Sequence, residues 1–294
     1  MAKRREGAAR MDFDGSRGPA LRAALDFAFG ESPAAPTGPA TDPSAADLKG
    51  ISCVVCAYNE ADRIRNILDV IVGHPSLSEV IVVNDGSTDA TEALLKSYPT
   101  IRLLSHTPNR GKTYALSRGI AAARYDHLML LDADLAGIKP ADIDALAAPV
   151  MRGEAEVSIS LRSNSLWLYR QIGIDFVSGE RVAPKWLLKG AVEAMQRLPR
   201  WGGEVYMNEI FIRHACRIAV VRWPRVLNIR KYQKFGAWRG ALAEIKMISD
   251  AASVLTPFGL VRQNLRMMNL INRRGWRARM KVFAQRLASY RLTA

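Results

Sequence analysis

At 294 residues, 49% apolar and 24% charged, the chain has enough sequence for one large domain or two small ones with an ordinary globular core. No apolar run approaches the roughly 18 residues of a membrane span, and the basic start MAKRREGAAR has no apolar stretch behind it, so neither a transmembrane helix nor a secretory signal is expected. The net charge of +14 is unevenly spread: residues 230–294 carry 14 Lys+Arg against only Glu244 and Asp250, which marks that segment as a contact surface for something anionic.

Residues 1–48 contain ESPAAPTGPATDPSAAD, rich in Pro, Ala, Gly and Ser without periodicity, and read as a flexible lead-in with one short amphipathic piece, Leu21 to Phe29. From Ile51 the texture changes to alternating strand and helix signals. ISCVVCAY is an apolar strand, and the next stretch places Ile64, Ile67, Leu68 and Ile71 at helical spacing. EVIVVNDGS is a second strand, followed by a helix in which Asp89 and Glu92 suggest a capping box. IRLLSH, a helix over KTYALSRGIAAAR, and HLMLLDAD complete four strand units. Buried Ile, Val and Leu runs between helices imply an α/β fold, a mostly parallel sheet covered on both faces. The three cysteines suit a reducing compartment. Cys53 and Cys56 form a CxxC on paper, but three residues apart on a strand they face opposite sides, and no second CxxC completes a zinc site.

Each of these strands ends in polar residues, where function collects in parallel sheets. The ends are Ala57-Tyr58-Asn59-Glu60, then Asn84-Asp85-Gly86-Ser87-Thr88-Asp89, then Asn109-Arg110-Gly111-Lys112, and then Asp132-Ala133-Asp134. Alone, each reads equally as a turn or cap. Together, in order and at strand ends, they point to a site for an anionic ligand. Asp132 and Asp134, two apart on a strand, should point to one face about 7 Å apart. Such a pair suits a hard divalent cation, Mg²⁺ or Mn²⁺, shared with phosphate oxygens. Lys112 opens a helix, where its ammonium and backbone N–H groups can meet an anion. Asp89 reads as a cap.

The four motifs over residues 51 to about 140 resemble the nucleotide-binding half of a family 2 glycosyltransferase with a GT-A, Rossmann-like fold. The resemblance implies that Asp132 and Asp134 hold the metal on a nucleotide-sugar donor, with Asp134 catalytic. It also implies that Asp85 accepts from the donor's base, and that Ala57, Tyr58, Glu60 and Lys112 line the donor pocket.

Downstream, ADIDALAAPVM reads as a helix and EVSISLR as a strand ending at Arg162. The order that follows resembles the polyprenyl- or dolichyl-phosphate sugar transferase branch, which implies a lipid-phosphate acceptor and an inverting reaction. The matching positions are Arg162, Asp175, Ser178-Gly179-Glu180-Arg181, Glu204 or Glu209, and Arg230 with Lys231 and Lys234. A phosphate acceptor needs no general base and would be held by Arg162, Arg181, Arg230 and Lys234. An alcohol acceptor needs a carboxylate, with Glu204 and Asp175 ahead of Glu209. The alternative is a retaining enzyme resembling glucosyl-3-phosphoglycerate synthase, with a small anionic acceptor and His214 as a further metal ligand. A non-catalytic nucleotide-sugar-binding protein is the competitor from another class.

Residues 236–294 mix apolar and basic residues at helical spacing, a basic amphipathic helical extension suited to an anionic membrane surface. The same helices could instead pack on the domain or form a homo-oligomer contact, and no pattern for nucleic acid is present. The expected organisation is therefore a flexible segment over 1–48, a catalytic domain over 49–235 with a nucleotide-sugar half (49–140) and an acceptor half (141–235), and the basic extension. The expected location is cytoplasmic, peripheral at the inner membrane face.

Overall fold

The computed structural model describes residues 48–200, 202–228 and 254–271. The lead-in, Arg230, Lys234 and most of the basic extension lie outside these residues.

Strands β1 (Leu48–Ala57), β2 (Glu79–Asp85), β3 (Arg102–His106) and β4 (Tyr125–Asp132) follow the four apolar runs. Helices α1 (Arg65–Ile71), α2 (Thr91–Lys96) and α3 (Lys112–Ala122) carry the chain back between them. The short pair β5 (Leu135–Ala136) follows, then α4 (Pro140–Met151), β6 (Val157–Arg162), α5 (Trp167–Ile172) and β7 (Arg181–Pro184). Helices α6 (Lys185–Lys189), α7 (Val192–Arg197) and α8 (Gly203–Arg213) lead to β8 (Ile218–Trp223), β9 (Leu227–Asn228) and finally α9 (Pro257–Leu270).

The seven-stranded sheet has the order β3-β2-β1-β4-β7-β6-β8, and β5 pairs separately with β9. Only β7 runs antiparallel to its neighbours in the large sheet, with Arg181 level with Leu130. The chain enters β7 from the end where β4 leaves, so residues 175–180 join the carboxyl ends of the parallel strands. Strand β4 stops at Asp132, so Asp134 lies in the turn beyond the strand rather than on it.

Alternate residues of each central strand feed two apolar layers. Val54, Ile81 and Val83 pack with Leu116 and Ile120 of α3 on one face. Val55, Val82 and Leu131 pack with Leu68 of α1 and Ile64 just before it, and with Ile143 and Leu146 of α4, on the other. Each such side chain contributes roughly 1.5–3 kcal/mol through burial. Cys53 belongs to the second layer and Cys56 packs against the first, so the two thiols are separated by the sheet as the spacing predicts. Helix α9 lies on α8: Gln263 donates to the Val205 carbonyl (2.9 Å) and to Glu209 Oε1 (2.7 Å).

Candidate donor-sugar site

The polar ends of β1 and β2 form a knit of loops. Asn59 donates from its backbone to Ser87 Oγ (3.0 Å), and its side-chain Oδ1 accepts from the Thr88 backbone (2.8 Å). Asp89 caps as expected, taking the Thr91 N–H at 3.0 Å and the Ala61 N–H at 3.3 Å. Helix α2 has no capping box, however: Glu92 instead accepts from Asn84 Nδ2 (3.3 Å) and pairs with Lys96 (2.9 Å). Ala57 is fully buried, Tyr58 is exposed, and Glu60 pairs with Arg63 at 2.6 Å.

Asp85 is 3% exposed and both its oxygens are taken within the chain. Oδ1 accepts from the Arg110 N–H (2.8 Å) and lies 2.7 Å from His106 Nε2. Oδ2 accepts from the Gly111 N–H (2.8 Å) and Asn109 Nδ2 (2.9 Å). In this structure Asp85 shapes the Asn109–Gly111 loop that delivers Lys112, a role the motif did not suggest. Four converging contacts leave the carboxylate little capacity for a ligand. Gly86 is required by the same close approach, because at φ +71° a Cβ would stand 2.7 Å from the Asn109 backbone nitrogen.

Lys112 opens α3 and its ammonium lies 2.6 Å from both Asp132 Oδ1 and Glu204 Oε1. Burial works to lower its pKa, but the two carboxylates more than reverse this and hold it charged throughout the working range. Thr113 secures the arrangement. Its hydroxyl donates to the Arg200 carbonyl (3.0 Å) and accepts from the Gly203 N–H (3.0 Å), joining the first turn of α3 to the first turn of α8, which carries Glu204. Gly179 closes this cluster from β7's side; a Cβ there would collide with Asp132 Oδ1 and stand 2.8 Å from Lys112 Nζ.

The two aspartates have different neighbours. Asp132 faces Lys112 and, at 3.9 Å, Arg162. Asp134 accepts from Asn228 Nδ2 at 2.9 Å, and the same amide lies 3.4 Å from Asp132 Oδ2. Rotated by half a turn, the Asn228 amide would present its oxygen to both carboxylates. The carboxylates and this amide fit a hard divalent cation, with water and phosphate oxygens as its other ligands. Among the described residues, no three His, Cys, Asp or Glu side chains gather as a metal site.

Beneath this cluster runs a buried ionic network that the sequence does not reveal. Glu180 is wholly buried and accepts from Arg162 Nη1 (2.7 Å), Ser160 Oγ (2.7 Å) and Ser178 Oγ (2.6 Å). Arg162 also reaches Asp175 Oδ2 at 3.5 Å, and its Nε is buried without a partner. Burial works to lower the Arg162 pKa, but Glu180, Asp175 and Asp132 outweigh it. Asp175 is 2% exposed and paired, so it is poorly placed as a general base. Glu204, beside Lys112, is the carboxylate at the cleft.

Three acceptor-half expectations change. Arg181 is fully buried, donating to Asn208 Oδ1 (3.1 Å) and the Ser178 carbonyl, so no acceptor phosphate reaches it. The neighbouring Glu180 goes to Arg162. His214 follows the last turn of α8, about 15 Å along the helix from Glu204. It packs edge-on against Trp186, and burial and Arg213 lower its pKa, so the proposed role as a metal ligand beside Asp134 is not supported. Glu209 serves α9 through Gln263 and Arg266. Sequence reasoning missed His106, Thr113, Ser160 and Asn228. Asn109 and Ser178 stood within its motifs but carried no assigned role.

Residues 52–171 match the model of Glycosyl transferase family 2. Poly-beta-1,6-N-acetyl-D-glucosamine synthase of Staphylococcus aureus (strain MSSA476) is 39% identical over 92 residues, 30% of this chain and 22% of that protein. An uncharacterized glycosyltransferase of Escherichia coli (strain K12), YibD, is 26% identical over 178 residues, 56% of this chain and 50% of that one. The chain thus spans half or less of these curated relatives. Glucosyl-3-phosphoglycerate synthase from Mycobacterium tuberculosis, in complex with phosphoglyceric acid, superposes with a TM-score of 0.56 at 25% identity, covering 70% of this chain and 80% of that one. Its complex with Mn²⁺, UDP-glucose and phosphoglyceric acid gives 0.55 at 25% identity, covering 70% and 79%.

Proposed function

With a family 2 glycosyltransferase domain of GT-A-like fold as the premise, we propose that the chain transfers a sugar from a nucleotide-sugar donor to an anionic acceptor with the help of Mg²⁺ or Mn²⁺. The observation that carries this reading is the meeting of Asp132, Asp134 and Asn228 with Lys112 and Glu204 at the carboxyl ends of the strands. Asp134, Asn228 and Asp132 would hold the cation. Bound there, it neutralises the diphosphate leaving group as the glycosidic bond breaks. Lys112, Asp132 and Glu204 offer donors and acceptors spaced to orient sugar hydroxyls, and Gly179 leaves room for them to converge.

Arg162, whose Nε is buried, would act on the acceptor through the charge of its guanidinium rather than through that nitrogen. A lipid-phosphate acceptor brings its own anionic nucleophile and suits an inverting displacement. A small phosphorylated acceptor with a retaining outcome is the second reading. It is supported by the neighbour's complexes with phosphoglyceric acid and with glycerol 3-phosphate. An alcohol acceptor leaves Glu204 as the base. Arg230 and Lys234 keep their proposed part in acceptor binding, and the basic extension its proposed contact with an anionic membrane surface.

The test is transfer from UDP-, GDP- and TDP-sugars with Mn²⁺ or Mg²⁺, comparing wild type with Asp134→Ala. Turnover is expected to require the cation and to fall by about 10³-fold in the variant. Full-rate transfer by Asp134→Ala would remove Asp134 from the mechanism, and NMR of the product anomer separates the two readings.

A further inference from the structure

Of the large apolar side chains exposed on the described surface, five stand at one end of the sheet, while Leu48, Met151 and Trp186 are exposed elsewhere. Leu166 (58% exposed) and Trp167 (61%) follow the carboxyl end of β6. Val177 (44%) lies in the loop that enters β7 from that same end, and Leu227 (45%) follows β8 on β9, the strand that holds Asn228. Phe258 (77%) stands in the first turn of α9. That turn lies beside the start of α8, because a Cβ on Gly202 would meet Val254 at 2.7 Å and Gln263 holds Val205. All five therefore rim the end of the sheet that carries Asp134 and Arg162. A soluble mouth that admits only small anions has no use for such a rim.

Apart from the loop of Val177, the rim's other three segments carry charge of one sign. Residues 163–173, 224–228 and 257–271 contain no Asp or Glu, and Arg170, Arg225 and Arg262 within them are exposed. Beyond the first turn of α9 the apolar face continues through Val261 (56%) and Leu265 (57%). The remaining basic surplus of the chain, over residues 230–294, joins the same helix at both its ends. Aromatic and aliphatic side chains within a cationic surround match the interface of an anionic bilayer, where apolar groups enter the acyl boundary and arginines meet headgroup phosphates.

We propose that the rim of Leu166, Trp167, Val177, Leu227 and Phe258 docks on an anionic lipid surface, with the catalytic mouth facing that surface. The inference rests on the transferase reading for its consequence, which is that the acceptor is lipid-linked and its headgroup enters past Arg162 directly from the bilayer. Its physical content, binding through these side chains, is measurable without turnover.

The experiment is co-sedimentation of the full chain with vesicles of phosphatidylcholine alone and with 30 mol% phosphatidylglycerol. Wild type is compared with Trp167→Asp and Phe258→Asp, singly and together. Both positions are exposed, so the variants are expected to keep the wild-type thermal unfolding and Mn²⁺–nucleotide binding. Wild type should bind the anionic vesicles and not the neutral ones, and the double variant should lose about tenfold or more in partition. Equal partition of the double variant and wild type would overturn the proposal, placing any membrane contact in the tail instead. So would absence of wild-type binding, or a shift from dimer to monomer in the variants without any change in vesicle binding. Retained vesicle binding in a chain that turns over no donor would instead refute the transferase reading and leave the docking surface standing.

Discussion

The first half of the sheet and the second half solve the same problem, presenting polar groups at strand ends, by different means. In residues 48–140 the work is mostly neutral: Asp85 gathers two backbone N–H groups and an amide from the Asn109–Gly111 loop, and a histidine from the end of β3. In residues 141–228 the work is ionic and buried: Arg162 at the end of β6 meets Asp175 and Glu180 of the loop before β7 under the cleft. Thr113 and Lys112 stitch the two halves together through Arg200, Gly203 and Glu204. Neutral donors leave no charge behind when their carboxylate is removed, whereas breaking a buried ion pair leaves the partner's charge uncompensated.

Asp85→Ala is the strongest way to break that contrast. It leaves four donors without their acceptor, and at about 1 kcal/mol for each the loss is about 3–4 kcal/mol in urea unfolding. Nucleotide binding should fall by about tenfold or more, because the loop that positions Lys112 loses its anchor. Unchanged nucleotide affinity would show that the loop holds its shape without Asp85. Glu180→Gln comes next. Removing one charge from a buried pair exposes Arg162's uncompensated charge, softened by Asp175 at 3.5 Å, so about 2 kcal/mol is expected. Here nucleotide binding should stay within about twofold while kcat falls by about tenfold. A parallel loss of nucleotide affinity would mean that the two halves are a single unit. Asp85 and Glu180 share no hydrogen-bond partner, so the two destabilisations should add to within about 0.5 kcal/mol.

What was legible in the sequence is what sits within one loop or one apolar run. The four strands and their helices followed from apolar runs and helical spacing, and the ordered motifs located the donor half because a motif's residues sit within one loop. Asp89 as a cap was legible for that reason. Asp85 was located, but nothing in NDGSTD tells that its carboxylate turns inward to the next loop. Arg181 and Glu180 are adjacent in sequence, yet they go to different partners. On β7 adjacent side chains face opposite sides, so Glu180 reaches Arg162 while Arg181 is buried toward α8. Asn228 lies 94 residues from Asp134 and carries no motif of its own. Only the β5–β9 pairing brings it to the aspartates.

A smaller effect sharpens the comparison because it concerns a buried carboxylate in the first half. Glu79, at the start of β2 and away from the cleft, accepts from Ser52 Oγ (2.7 Å), the Arg124 N–H (2.7 Å) and Arg124 Nε (3.0 Å). Burial works to raise its pKa, but the Ser52 hydroxyl and the Arg124 contacts outweigh it and hold the carboxyl below its ordinary 4.5. The folded state therefore favours the ionised form. Its contribution is complete above the unfolded pKa and is lost as the pH falls through the lower, folded value. Glu79→Gln should cost about 1 kcal/mol at pH 7, because the Arg124 side chain is largely exposed and solvent screens its charge. The gap from wild type should close as the pH is taken below about 4 in urea titrations. A cost that persists unchanged at acid pH would show that packing rather than charge holds Glu79. A cost as large as that of Glu180→Gln would erase the distinction between a first half held by neutral donors and a second half held by buried ion pairs.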